Sequence, residues 1–112
     1  VSCYNIIKHD MGTLAALLNS ADAFGIGSPT INKDAVAPVW QLLSHIDAIN
    51  IQKRPVFLFG SYGWSGEAIP ALQSRLEMLK VNLVQPLKTV FVPSAEDLQR
   101  AYEYGRSFAE TL

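Results

Sequence analysis

The chain has 112 residues, enough for one domain, and its hydrophobic content of 49 % is sufficient for a core of ordinary size. The net charge is −1 and the nine basic residues are scattered, which excludes the concentrated positive surface of a nucleic-acid-binding protein. No apolar run is long enough to cross a membrane, and the single Cys3 cannot form an internal disulfide. We therefore expect a reducing, cytoplasmic setting without nucleic-acid or membrane partners.

Strand-like and helix-like segments alternate along the first half of the chain. Residues 1–7 read as a strand by their apolar content, and residues 13–21 as a helix with its leucines on one face. Residues 23–27 are predicted as a short buried strand. The following helix is predicted over 38–49, because apolar side chains recur there at helical spacing: Val39, Leu42, Leu43, Ile46 and Ile49.

The second half continues the alternation. Residues 55–60 form a near-continuous apolar run, as expected of a parallel strand covered on both faces. A helical stripe follows at Ile69, Leu72, Leu76 and Leu79. Residues 81–92 then read as an edge strand that Pro86 splits. Ser94 and Asp97 have the spacing of a capping box before the last helix, whose predicted inner face is Leu98, Ala101, Tyr102, Gly105, Phe108 and Leu112. The order predicts an α/β fold with a parallel sheet and right-handed crossovers.

Two loops follow neighbouring strands of this predicted sheet. Loop A is defined as residues 28–32 and loop B as residues 61–66. Since parallel strands end at the same edge, and α/β proteins bind ligands at that edge, we expect both loops to border one site. The candidate binding residues are Ser28, Pro29, Thr30, Ile31, Asn32, Ser61, Tyr62, Gly63, Trp64, Ser65 and Gly66.

The composition of loop B favours a flat aromatic ligand such as a flavin ring. Tyr62 and Trp64 offer aromatic faces, and backbone amides can bind the polar edge of the ring. Three glycines allow close approach of the backbone and, we expect, positive φ angles: Gly60, Gly63 and Gly66. The structural alternative is a tight turn whose Trp64 packs on a neighbouring helix.

Other polar residues do not form a catalytic or metal-binding pattern. Gly12 and Thr13 precede a helix, but the nearby Asp10 would repel a phosphate, so we interpret this segment as a capped helix start. His9 and His45 lack metal-ligand spacing to other ligands. Cys3 is predicted to be a buried strand residue. No side chain is predicted to be catalytic.

Three segments closely resemble the flavodoxin-like domain of A-type flavoproteins, also called flavodiiron proteins: Gly27-Ser-Pro-Thr-Ile-Asn32, Pro38-Val-Trp40 and Phe59-Gly-Ser-Tyr-Gly-Trp-Ser-Gly-Glu67. The resemblance implies an FMN site bordered by loops A and B, with Trp64 or Tyr62 against the ring. It also implies electron transfer to a diiron centre in a separate N-terminal domain, where dioxygen is reduced to water or nitric oxide to nitrous oxide. An electron donor such as rubredoxin or a flavin reductase and a head-to-tail homodimer are further implications.

The resemblance also implies that part of the flavodoxin-like domain is absent. Val1 aligns with the second strand of that domain, so the first strand and its phosphate loop have no counterpart among these residues. In the sheet order 2-1-3-4-5 the absent strand would lie between residues 1–7 and 23–27. We expect these 112 residues to fold normally only within a longer chain, or with a strand supplied by another chain.

Two alternatives remain open at this stage. One is a self-contained flavodoxin-like electron carrier or quinone reductase. The other is a non-redox regulatory or interaction domain of the same fold. A phosphoacceptor receiver is disfavoured, because the strand that ends at Gly27 leads to Ser28 rather than to an acidic residue.

Overall fold

The computed structural model describes all residues from 1 to 112. It contains a 3₁₀ turn and four α-helices: Ile6–Lys8, then α1 (Met11–Ser20), α2 (Ala37–Leu43), α3 (Ala68–Met78) and α4 (Ala95–Glu110). Its four strands are β1 (Phe24–Gly27), β2 (Pro55–Tyr62), β3 (Asn82–Leu83) and β4 (Leu87–Val90). No helix is both long and apolar enough to cross a bilayer.

The strands form one parallel sheet with β2 at its centre. β1 lies on one side of β2, with Phe24 opposite Val56 and Gly27 opposite Phe59. β3 and β4 follow one another on the other side, where β3 pairs with the start of β2 and β4 with its end. The interruption between β3 and β4 contains Pro86, so the predicted split of this edge strand is confirmed.

The core lies between one face of the sheet and helices α1, α2 and α3. Alternate residues of β2 point to this face, and Val56 and Leu58 have no solvent exposure. The helical side chains of the same cluster include most of the predicted stripes of all three helices: Leu14, Leu18, Val39, Leu42, Leu43, Ile69, Leu72 and Leu76. Leu17 and Ile49 of the predicted stripes are 40 % and 84 % exposed, so the periodicity predicted most of this layer but not all of it.

The opposite face of the sheet is covered by α4 alone. The Phe57 ring contacts Phe108 at a centroid distance of 4.7 Å and Tyr104 at 5.7 Å. The predicted inner face of α4 is only partly correct, because Phe108 is its one buried residue. Leu98 and Tyr102 are 61 % and 68 % exposed, since no other element packs on this side of the helix.

The predicted strand over residues 1–7 is wrong. Residues 1–5 have no regular secondary structure, Ile6–Lys8 is a 3₁₀ turn, and Cys3 is exposed rather than buried. The physical reason is the lack of a pairing partner. β1 pairs with β2 only, so no strand lies beside its other edge to continue the ladder toward residues 1–7.

The predicted helix over 38–49 is shorter than expected. It ends at Leu43, and the side chain of Asp47 accepts hydrogen bonds from the backbone N–H groups of Ile49 and Asn50 at 3.1 and 3.2 Å. This side-chain bonding favours a turn over a helix. As a result Ile49 is 84 % exposed, whereas Val39, Leu42 and Leu43 are buried as predicted.

Both predicted helix caps are present. Asp10 accepts a hydrogen bond from the Thr13 N–H at 3.0 Å and begins α1, which confirms the interpretation of this segment as a capped start. At α4, Ser94 and Asp97 form the reciprocal capping box. At each of these helix starts a carboxylate, that of Asp10 or Asp97, lies beside the first amides, which disfavours an anionic phosphate there.

Candidate functional site

Loops A and B lie side by side at the carboxyl edge of the sheet. The N–H of Ser28 donates to the carbonyl of Phe59 at 3.1 Å, and the N–H of Thr30 donates to the carbonyl of Ser61 at 3.2 Å. The ladder between β1 and β2 thus continues beyond β1 into both loops. The structure brings together the two segments that the sequence places at this edge.

Two hydroxyl groups of loop A form hydrogen bonds within the protein. The buried Ser28 side chain donates to the carbonyl of Pro29 at 2.8 Å and accepts the N–H of Val36 at 3.1 Å. Thr30 Oγ1 accepts the N–H of Ala68 at 3.2 Å and so satisfies a free amide at the start of α3. These side chains fix the position of loop A, and its other residues form the exposed part.

The tip of loop A is a tight turn. Ile31 and Asp34 exchange backbone hydrogen bonds at 3.0 and 3.1 Å, and both residues between them, Asn32 and Lys33, have positive φ angles of 55° and 60°. Asp34 Oδ1 also accepts the indole N–H of Trp40 at 3.2 Å. Sequence reasoning did not identify Asp34, although an Asx residue after a turn is a known turn signal.

Gly60 allows the close approach of the two loops. A Cβ atom at this position would lie 2.4 Å from the carbonyl oxygen of Ser28, which is a backbone atom and cannot move aside. The expected positive φ angles are absent at Gly60, Gly63 and Gly66, so that part of the prediction is wrong. The glycine at position 60 is required for space and not for its φ angle.

Loop B presents an aromatic face and unused backbone groups. Trp64 is 97 % exposed, so the alternative in which it packs on a neighbouring helix is wrong. Tyr62 is partly buried, and its ring lies near Gly66, where a Cβ would be 3.3 Å from the Tyr62 Cδ1 atom. The backbone N–H groups of residues 63–66 donate no hydrogen bond within the protein. These groups are available to a ligand.

The carboxylate of Glu67 follows loop B directly, at the start of α3. One oxygen of Glu67, Oε2, is shielded from solvent and has no hydrogen-bond partner. The Ser65 side chain, the Glu67 backbone amide and the positive charge of Lys33 lower the pKa of Glu67 below its ordinary value, so that it is ionised at neutral pH.

A cavity of about 410 Å³ opens beside the loops on the α4 side of the sheet. Ser28 and Pro29 of loop A and Ser61 of loop B line it, together with the start of α4. The chain contains no cluster of three or more His, Cys, Asp or Glu residues able to hold a metal ion. The exposed Trp64 ring and the free backbone amides of loop B are the groups at this edge that a ligand can contact.

No protein-family model matches the chain. Among curated proteins, it is 45 % identical over its whole length to the flavo-diiron protein FprA2 of Clostridium acetobutylicum, of which it covers 28 %. It is 37 % identical, again over its whole length, to a nitric oxide reductase of Moorella thermoacetica, of which it covers 29 %. The chain thus spans less than a third of the length of these relatives.

Two solved structures share its fold. The flavodiiron core of Flv1 from Synechocystis superposes with a TM-score of 0.89 at 26 % identity and matches 99 % of this chain and 28 % of its own. A flavodoxin from the domain Archaea superposes with a TM-score of 0.79 at 27 % identity and matches 95 % of this chain and 73 % of its own.

Proposed function

We propose that this chain is an FMN-binding electron-transfer domain. It is related over its whole length to the flavodiiron proteins, also called type A flavoproteins, and has the predicted flavodoxin-like fold. The observation that carries the proposal is in loop B, where an exposed Trp64 adjoins four consecutive residues with unused backbone N–H groups. A flavin ring needs both features, a stacking face and donors for its polar edge.

Each part of the site has a distinct role in this proposal. The indole of Trp64 stacks on the ring, and the amides of residues 63–66 bind its polar edge. Loop A forms the opposite border, held by Thr30 and Ser28 as described above. When bound, FMN supplies the redox chemistry, and these residues bind and orient it and exclude water from its faces.

The residues fit the ring of FMN better than its phosphate. Anionic phosphate groups bind at helix N-termini and at loops rich in Gly, Ser and Thr. In this chain the α1 start is capped by Asp10, and the α4 start is closed by the Ser94–Asp97 capping box. Each cap satisfies one amide, that of Thr13 or Asp97, and places a carboxylate beside the remaining ones, which would repel a dianion. We therefore assign no phosphate contact to any of these residues.

For the whole protein we propose reduction of nitric oxide or dioxygen by a diiron centre in another domain. Support comes from the relatives, which include a flavo-diiron protein and a nitric oxide reductase. The proposal includes an electron donor such as rubredoxin or a flavin reductase, a cytoplasmic setting and a homodimer. A stand-alone electron carrier is the second candidate, favoured by the similarity to an archaeal flavodoxin that consists mostly of the matched region.

Lumiflavin, which has the flavin ring but no phosphate, tests the ring site directly. We expect it to bind this chain, measured within the whole protein, with quenched flavin fluorescence, because stacking on an indole brings the ring against an aromatic face. Replacement Trp64→Ala should weaken binding several-fold, since aromatic stacking contributes about 0.5–1.5 kcal/mol. Trp64 is almost fully exposed, so the unfolding midpoint should not change.

Met78→Ala is the matched control, because Met78 is 74 % exposed on α3 and does not line the cavity beside the loops. It should leave lumiflavin affinity unchanged. Equal affinities for the original chain and both variants would remove Trp64 from the site. Lack of any quenching by the original chain would favour a non-redox regulatory domain.

A further inference from the structure

The carboxylate that follows loop B has an oxygen atom without a partner. Oε2 of Glu67 is shielded from solvent and accepts no hydrogen bond, and it is the only buried side-chain oxygen or nitrogen atom of the chain in this situation. Buried polar atoms are almost always hydrogen-bonded, because an unpaired one is costly in free energy. The single exception in this chain lies beside the candidate site.

The neighbours of Glu67 in the chain keep it close to both loops. The preceding residue, Gly66, is the last of loop B. The N–H of the following residue, Ala68, donates to Thr30 Oγ1 of loop A at 3.2 Å. Consecutive Cα atoms are about 3.8 Å apart. The Glu67 backbone therefore lies one residue from the free amides of loop B and one residue from a contact with loop A.

No ion pair neutralises this carboxylate. The ion pairs of the chain are both within α4, so no positively charged nitrogen lies within 4.0 Å of Glu67. The Ser65 side chain, the Glu67 backbone amide and, from a greater distance, the charge of Lys33 lower its pKa, and it is ionised at neutral pH. A charge with neither an ion pair nor full access to water is weakly screened, so its field extends to its neighbours.

Such a field acts differently on the two redox states of a flavin ring. The oxidised ring is neutral. Addition of two electrons and one proton, which binds at N5, gives a reduced ring with one negative charge at N1 and the C2 carbonyl. A fixed negative charge nearby destabilises the reduced ring and has little effect on the oxidised one. It therefore lowers the reduction potential without contact with the ring.

We propose that Glu67 lowers the reduction potential of the bound ring by holding a negative charge without a partner beside loop B. This inference rests on the flavin site proposed above and adds to it a residue that acts through its field. The free N–H groups of loop B favour an anionic ring, and Glu67 opposes them. The missing partner of Oε2 is part of this role, because an ion pair there would weaken the field.

The test measures the midpoint potential of lumiflavin bound to the whole protein from which FMN has been removed. Dithionite is the reductant, oxygen is excluded, and the flavin absorbance reports the fraction reduced. The shift from the potential of free lumiflavin gives the ratio of the affinities for the reduced and the oxidised ring. Glu67→Gln removes the charge and keeps the shape of the side chain, so we expect this ratio to rise by about three- to tenfold. Glu67→Asp retains the charge and should leave the ratio close to the original.

Glu77→Gln is the matched control. Glu77 is exposed in the last turn of α3, so this substitution removes the same charge from the same helix at its other end. The helix rises by about 1.5 Å per residue, which places Glu77 about 15 Å from Glu67 along its axis. That distance exceeds the Debye length of about 8 Å at physiological ionic strength. The ratio of affinities should therefore not change.

Three results would overturn this inference while lumiflavin still binds. The first is an unchanged ratio in Glu67→Gln, even if both affinities fall together, since that would indicate a structural role. The second is an equal rise in Glu77→Gln, which would assign the effect to net charge. The third is an equal rise in Glu67→Asp, which would assign it to side-chain shape. Failure of the original protein to bind lumiflavin would instead remove the flavin site, and this inference with it.

Discussion

At the scale of single residues, Gly60 carries the clearest steric constraint. Ala at this position would place its Cβ against the Ser28 carbonyl, whereas a Cβ at Gly63 has no atom within 4 Å. Both glycines have ordinary negative φ angles, so space alone distinguishes them. We expect Gly60→Ala to reduce the free energy of unfolding by about 1–3 kcal/mol, the usual cost of an overpacked site.

Gly63→Ala is the control and should change the free energy of unfolding little. The measurement is urea denaturation followed by far-ultraviolet circular dichroism. Similar losses for both variants would contradict the assignment of the close contact to Gly60. Gly60→Ala should also weaken lumiflavin binding, because the displaced Ser28 belongs to loop A.

At the scale of elements, the start of α4 depends on Asp97. Its carboxylate accepts the Ser94 N–H at 2.9 Å, and its own N–H donates to the Ser94 hydroxyl at 3.1 Å. The Ser94 backbone and side chain lower the pKa of Asp97, with a further contribution from Arg100. A lowered folded pKa stabilises the protein above the unfolded value, about 3.9, and this stabilisation is lost as the pH falls through the folded pKa.

Asp97→Asn should therefore lower the unfolding midpoint at neutral pH, and the difference from the original chain should shrink as the pH falls below about 4. Glu96→Gln removes the same charge from the same helical turn without removing a capping hydrogen bond. Thermal denaturation of both variants across this range separates the cap from the general effect of charge. A difference for Asp97→Asn that is constant with pH would contradict the assignment.

At the scale of the whole molecule, the two faces of the sheet are unequally covered. Leu72 of α3 has no exposure in the filled layer, whereas Leu98 of α4 is 61 % exposed. Leu72→Ala should cost about 2–5 kcal/mol, and Leu98→Ala much less, as measured by urea denaturation. Comparable costs would show that the α4 layer is already packed in solution.

The accuracy of the sequence predictions depended on the range of the interactions involved. Both helix caps and the buried stripe of α3 follow from contacts within a few residues, so the sequence predicted them. The strand over residues 1–7 was wrong because a strand requires a neighbour, and the apolar content of these residues does not depend on one. The resemblance, in contrast, already implied that the neighbouring strand is absent. The exposed Leu98 and Tyr102 on α4 reflect the same missing contact.

For the candidate site, the residue types could be interpreted from the sequence, but the geometry of the site could not. Trp64 and the glycines of loop B indicated a planar ligand, and the resemblance of loops A and B to flavodiiron proteins is supported by relatives that match the whole chain. The sequence did not reveal that Ser28 and Thr30 hold the backbone of their own chain, or that Asp34 fixes the turn of loop A. Each of these hydrogen bonds depends on tertiary contacts or on exact loop conformation.

The sequence by itself determined the alternation of strands and helices, the two loops at one edge and the family they resemble, because apolar periodicity and short motifs are local. Only the tertiary structure decided that Gly60 is required by the Ser28 carbonyl and that α4 covers its face alone. These features depend on which segments are neighbours in space. The same physical reason applies to residues 1–7, which form no strand because β1 pairs with β2 only.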